Sequence, residues 1–177
     1  MDFLFKGKCW KFGNNIGVDG DLMPLEFAIK REIRPEILAK HTMKGLDPKF
    51  ASNVAEGDIL IAGERFAQGN PHIQGLLGIA GLGLGLVVES IPRGSFRNAI
   101  NAGVPILPNC PDVTKLVETG DELEVNFETG SFINHSRGQE TQFEALAPAL
   151  LKTISLGGWK PMVEHRIANM LNVPTKD

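Results

Sequence analysis

The sequence predicts an α/β fold: a single domain with a mixed, barrel-like sheet and flanking helices. Three observations predict it. Short apolar runs alternate with proline-started helical stretches between Asp58 and Leu107, the order expected of crossover units around a parallel core. After Asp121 the pattern changes to strands around polar turns, which implies an added antiparallel hairpin. The chain has 177 residues, 42% hydrophobic and 22% charged, enough for one sizeable core and typical of a globular protein.

Taken in order, Phe3 to Phe12 alternates loosely between apolar and polar residues and reads as a strand. Gly13 to Pro24 is a turn-rich loop holding Asp19 and Asp21. Arg34 to Met43 reads as a short helix, with Pro35 near its start where proline is tolerated. Lys44 to Val54 reads as a connection, and the apolar run Asp58 to Ala62 as a buried strand. Phe66 to Gln74 is a loop that feeds a helix starting at Pro71, with Asn70 as its expected N-cap and a stop near Gly81, Gly83 and Gly85. Leu86 to Val88 is a strand, Phe96 to Ala102 a helix closed by Gly103, and Val104 to Leu107 a further strand. Glu122 to Phe127 and Gln142 to Leu146 read as strands around a polar turn at Asn134 to Gly138. Pro148 to Ile154 is helical, Val163 to Leu171 is an amphipathic helix, and the tail at 172–177 reads as loose.

Composition excludes several classes. A net charge of -3 argues against a general nucleic-acid binder, which carries a basic footprint. The longest apolar stretch, Gly75 to Val88, is glycine-rich and shorter than the roughly 20 residues a membrane helix needs. No basic-then-apolar leader opens the chain, so secretion is not expected, and the use of only two cysteines makes the reducing cytoplasm the expected compartment. Cys9 and Cys110 make no disulfide framework, and two thiols cannot hold an iron–sulfur cluster, which takes about four. The glycines at 78, 81, 83 and 85 lack the spacing and the lysine of a phosphate loop and are better explained by close helix–sheet packing.

Three segments carry a resemblance: Gly7 to Asp19 (GKCWKFGNNIGVD), Leu38 to Phe66 (LAKHTMKGLDPKFASNVAEGDILIAGERF) and Ser95 to Leu107 (SFRNAINAGVPIL). In this order, with a compatible stretch from Gly120 to Leu146, they resemble the small subunits of the aconitase and 3-isopropylmalate dehydratase family along essentially the whole chain. The resemblance implies a β/β/α swivelling domain that caps an active site on a larger subunit. It implies a hydro-lyase, active only with that subunit, which interconverts 2- and 3-isopropylmalate in leucine biosynthesis or dehydrates a related substituted malate. The expected cofactor, a 4Fe–4S cluster whose iron acts as a Lewis acid, belongs to the partner and not to this chain. In the family the small subunit supplies a serine base, and arginines whose fork suits substrate carboxylates.

The sequence departs from the family where that chemistry lies. The family motif Gly-Cys-Gly-Ser-Ser-Arg-Glu-His stands here as Ala67-Gln68-Gly69-Asn70-Pro71-His72-Ile73-Gln74, and only Gly69 is kept. Neither Asn70 nor Pro71 can abstract a proton, whereas His72 can act as a base near neutral pH. Asp19 is kept in the aspartate loop, and Arg97 is kept beside Asn98. Asp19 and His72 are therefore the catalytic candidates. Gly69, Asn70, Pro71, Arg97, Lys30 and Arg31 are the substrate-binding ones. Read without the resemblance, residues 69–72 are a tight turn before a helix, and Asp19 is a turn former. The lost serine and arginine leave a second functional reading, a non-catalytic paralogue that binds or scaffolds. A chain separated from its partner is expected to self-associate through the uncovered surface.

Overall fold

A computed structural model describes residues 2–171; the tail expected to be loose, 172–177, lies outside them. The strands are β1 (Leu4–Lys11), β2 (Ile59–Ala62), β3 (Gly85–Val88), β4 (Ile106–Leu107), β5 (Glu122–Asn126), β6 (Ser131–Asn134) and β7 (Gln139–Gln142). Among the described residues they form one seven-stranded sheet in the order β4-β3-β2-β1-β5-β6-β7, curled into a half-barrel. The helices are α1 (Leu25–Ile29), α2 (Pro35–Leu38), α3 (Phe50–Asn53), α4 (Gln74–Gly81), α5 (Arg93–Ala102), α6 (Pro148–Ser155) and α7 (Trp159–Leu171). No helix among the described residues is long and apolar enough to cross a membrane.

β1 divides the sheet. On one side it runs parallel to β2, with Cys9 opposite Ile59 and Lys11 opposite Ile61, and β3 and β4 continue in parallel. On the other side it pairs antiparallel with β5, with Leu4 opposite Asn126, and β6 and β7 complete a meander. Both faces are covered, so β2 shows no polar alternation, as expected for a doubly buried parallel strand. Leu60 and Ala62 enter one core with Phe66, Leu76, Ile79 and Ala99; Ile59 and Ile61 enter the other with Cys9, Val87, Val125 and Phe132. Fully burying such a side chain contributes about 1.5–3 kcal/mol. Asp58, only 5% exposed, pins the entry to β2. It accepts hydrogen bonds from the Lys8 amide (2.8 Å), the Trp10 indole (2.9 Å) and the Ala55 amide (3.0 Å).

Several expectations are corrected. The helix expected to start at Pro71 begins at Gln74, no side chain caps it, and Asn70 instead turns back toward His72. Arg34 to Met43 is not one helix: α2 tightens into a 3₁₀ turn at Ala39–His41 and stops where Thr42 becomes extended. The expected connection at Lys44 to Val54 contains α3, and α1 was not expected. Gln142 to Leu146 is not the second hairpin strand. An extra strand, β6, intervenes because Asn126 accepts from the amides of Glu128 and Thr129 and turns the chain early. The edge strand β4 is confined to Ile106–Leu107, and α7 starts earlier than expected, at Trp159.

Candidate active site

Two loops leave the carboxyl ends of the adjacent parallel strands β1 and β2, the edge at which open α/β sheets carry their ligands. Backbone hydrogen bonds hold the loops together. The Val18 amide donates to the Gln68 carbonyl (2.8 Å), the Gln68 amide to the Ile16 carbonyl (2.9 Å), and the Asn15 amide to the Glu64 carbonyl (2.8 Å). Side chains reinforce this seam: Gln68 Nε2 donates to the Asn15 carbonyl (2.9 Å) and Arg65 Nε to Asn15 Oδ1 (2.7 Å). Asp21 accepts from the Gly17 amide at 2.9 Å, which folds the first loop back on itself.

The seam places Asp19 against His72. His72 Nδ1 lies 2.8 Å from Asp19 Oδ1, and the two side chains are 31% and 32% exposed. The other ring nitrogen, Nε2, lies 3.2 Å from Asn70 Nδ2. One neutral proton arrangement satisfies both contacts: Nδ1 carries the hydrogen and donates to Asp19, while the Nε2 lone pair accepts from the Asn70 amide. A carboxylate that fixes a histidine tautomer and leaves the far nitrogen basic is a general-base arrangement. The His72 amide donates to the Asn70 carbonyl at 2.7 Å and tightens the turn.

The second loop is strained. Arg65, Ala67 and Gly69 have φ of 56°, 57° and 103°, a left-handed conformation that costs about 1–3 kcal/mol for a non-glycine residue. Outside contacts hold it. The amides of Arg65 and Phe66 donate to Ser90 Oγ (2.9 Å) and its carbonyl (3.0 Å). From α5, Ser95 Oγ donates to the Ala67 carbonyl (2.5 Å) and Asn98 Nδ2 to the Pro71 carbonyl (2.6 Å).

The structure thus brings Asp19, Gly69, Asn70, Pro71 and His72 together. It does not tie Arg97, Lys30 or Arg31 into that group by hydrogen bonds. Arg97 is exposed on α5 beside a groove of about 300 Å³ that Arg93, Phe96, Asn101, Trp159 and Met162 also line. Lys30 closes on Glu26 at 2.7 Å, and Arg31 is exposed with φ 51°. The residues the sequence did not single out are Ser95 and Asn98. Both lie in the resembling segment Ser95 to Leu107, where the kept Arg97 drew attention instead. A cavity of about 650 Å³ opens elsewhere, between Leu4, Lys6, Gly83 and Gly103 at the start of the parallel strands, and holds none of this chemistry.

Among the described residues no group of three or more His, Cys, Asp or Glu side chains could hold a metal ion. Cys9 and Cys110 are buried, and burial pushes both thiols up to about 12, with the Asp121 charge adding to the effect at Cys9.

No protein-family model matches the chain. Its similarity to individual proteins is extensive. It is 36% identical over 169 residues to the isopropylmalate/citramalate isomerase small subunit of Methanocaldococcus jannaschii, covering 95% of this chain and 98% of that protein. It is 39% identical over 154 residues to the 3-isopropylmalate dehydratase small subunit of Methanosarcina mazei, covering 86% and 92%. The crystal structure of a 3-isopropylmalate dehydratase from M. jannaschii superposes with a TM-score of 0.83 at 26% identity, covering 95% of this chain and 98% of that one. Fold and relatives together define a hydro-lyase subunit of aconitase type. The chain belongs to the family of 3-isopropylmalate dehydratase small subunits.

Proposed function

We propose that this chain caps the active site of a cytoplasmic dehydratase acting on 3-isopropylmalate or a related substituted malate, and that His72, oriented by Asp19, is its base. The Asp19–His72 contact at 2.8 Å carries this reading. The expected partner is a larger subunit holding a 4Fe–4S cluster, which would supply Lewis acidity to the departing hydroxyl group. This chain would supply the proton acceptor. His72 Nε2 takes the proton from the carbon next to the one that bears the hydroxyl. The C–H electrons form the double bond as hydroxide leaves, and re-addition of water reverses the step. Asn70 covers Nε2 until substrate displaces its amide. Asp19 keeps the ring in the tautomer with Nε2 free of hydrogen and stabilises the imidazolium that forms.

The same loop sets an expectation about substrate. Asn70 can hydrogen-bond a carboxylate but cannot neutralise it. Losing a desolvated arginine–carboxylate bond commonly costs about 2–5 kcal/mol. Turnover of 3-isopropylmalate itself is therefore expected to be weak, with a related substituted malate preferred.

The test is steady-state kinetics of the co-expressed, anaerobically reconstituted pair on a panel of substituted malates. His72→Ala is expected to lower kcat about 10²–10⁴-fold, the usual contribution of a positioned base. Asp19→Asn should cost less, because the base remains but its tautomer is no longer fixed. Undiminished activity in His72→Ala would sink the assignment. A gain on 3-isopropylmalate when Asn70→Ser, Pro71→Ser and His72→Arg are combined would favour the non-catalytic reading. The close Asp19–His72 pairing favours the catalytic one.

A further inference from the structure

The loop that carries His72 is held from one side by a single helix face. α5 meets it at three consecutive points. Gly94 lets the helix approach, since a Cβ there would lie 3.0 Å from Pro71 Cβ. Ser95 holds the Ala67 carbonyl and Asn98 holds the Pro71 carbonyl. The two hydrogen bonds differ in kind. Ser95 and Ala67 are both buried, so that bond mainly satisfies an acceptor that water does not reach. Pro71 is exposed and Asn98 half-buried, so water could serve the Pro71 carbonyl at little cost in stability. What the Asn98 bond provides is geometry. Proline fixes its own φ, and the next residue in the chain is His72. Holding the Pro71 carbonyl therefore sets the plane of the peptide that leads into the histidine.

We propose that Asn98 is a positioning residue for His72: its amide on the Pro71 carbonyl at 2.6 Å aims the imidazole so that Nδ1 meets Asp19, on the other loop, and Nε2 meets Asn70. This rests on the reading of His72 as the base. The Asp19–His72 contact joins two separate loops, so a small rotation of the Pro71–His72 peptide is enough to lengthen it. A misplacement of about 1 Å at a reacting group can cost about 10²-fold in rate.

The test compares wild type, Asn98→Asp, Asn98→Gln and His72→Ala in the reconstituted pair. Aspartate keeps the shape of asparagine but cannot donate; glutamine restores the donor on a longer stem. Asn98→Asp is expected to lower kcat roughly 10–10²-fold with KM little changed, and Asn98→Gln to recover part of the loss. Imidazole ¹⁵N shifts of the full chain above neutral pH give a readout independent of turnover. Wild type should show His72 with its hydrogen on Nδ1, and Asn98→Asp a mixture of tautomers. Kinetics of Asn98→Asp within twofold of wild type, with an unchanged His72 spectrum, would overturn the positioning role while a large His72→Ala loss left the base intact. No loss in His72→Ala would overturn both. If Asn98→Asp folds poorly, Asn98→Ala decides: a scrambled His72 spectrum with lowered kcat supports the proposal, and an unchanged spectrum with kcat within twofold of wild type overturns it.

Discussion

At the scale of single residues, the chemistry depends on how each polar group is answered. His72, the proposed base, stands where the motif it resembles has arginine, and the Asp19 carboxylate 2.8 Å away answers its Nδ1. The Asp121 carboxyl shows the same principle in a structural role. Burial opposes its charge, but hydrogen bonds from Asn134, the Glu118 amide and Arg137 prevail and hold its pKa below the ordinary value. A depressed folded-state pKa means that this stabilisation is full above the ordinary carboxylate range and lost as pH falls through the folded value. Asp58 offers the sharper test. Truncating it strands the Trp10 indole and the amides of Lys8 and Ala55, and each unsatisfied buried donor costs about 1–3 kcal/mol. Asp58→Ala is expected to destabilise by about 3 kcal/mol or more in urea unfolding; a change below about 1 kcal/mol would mean that water reaches all three donors.

At the scale of elements, α5 links the core to the site. Its core face buries Ser95, Ala99 and Ala102, a second face meets the His72 loop, and a third lines the groove toward α6 and α7. Its end depends on Gly103, whose φ is 77° and whose Cβ position lies 2.7 Å from the Gly157 carbonyl carbon. Gly103→Ala combines left-handed strain with a backbone collision and should lower stability by roughly 1–3 kcal/mol, seen as a lower thermal midpoint. An unchanged midpoint would show that the α6–α7 connection yields easily. The run FRNAINAG made this helix and its glycine stop legible, because proline, apolar spacing and a terminal glycine agree. β6 was not legible. Ser131–Asn134 is four residues long, and the turn before it is made by the Asn126 side chain rather than by a strong glycine–asparagine pair.

At the scale of the whole molecule, the surface next to the aspartate loop exposes three large apolar side chains among charged ones. Leu25, Ile29 and Ile33 are 45%, 74% and 57% exposed around α1, directly after the loop that carries Asp19. On the proposed function, the large subunit would cover these apolar side chains. Ile29→Asp is expected to weaken co-elution with that subunit in size-exclusion chromatography without lowering the melting temperature of the chain; normal co-elution would place the interface elsewhere. By itself the sequence determined the α/β class, the parallel core followed by antiparallel strands, and the family, because apolar periodicity, proline and glycine punctuation and contiguous motifs are local signals. It also named Asp19 and His72 as the catalytic candidates, through one kept and one altered motif. Only the tertiary structure decided that these two side chains meet, that Asn70 faces His72 instead of capping a helix, and that Asn98 rather than Arg97 holds the loop. The Asp19–His72 and Asn98–Pro71 contacts join residues 53 and 27 positions apart. They depend on the pairing of β1 with β2 and on the rotation of α5, and neither leaves a local pattern in the chain.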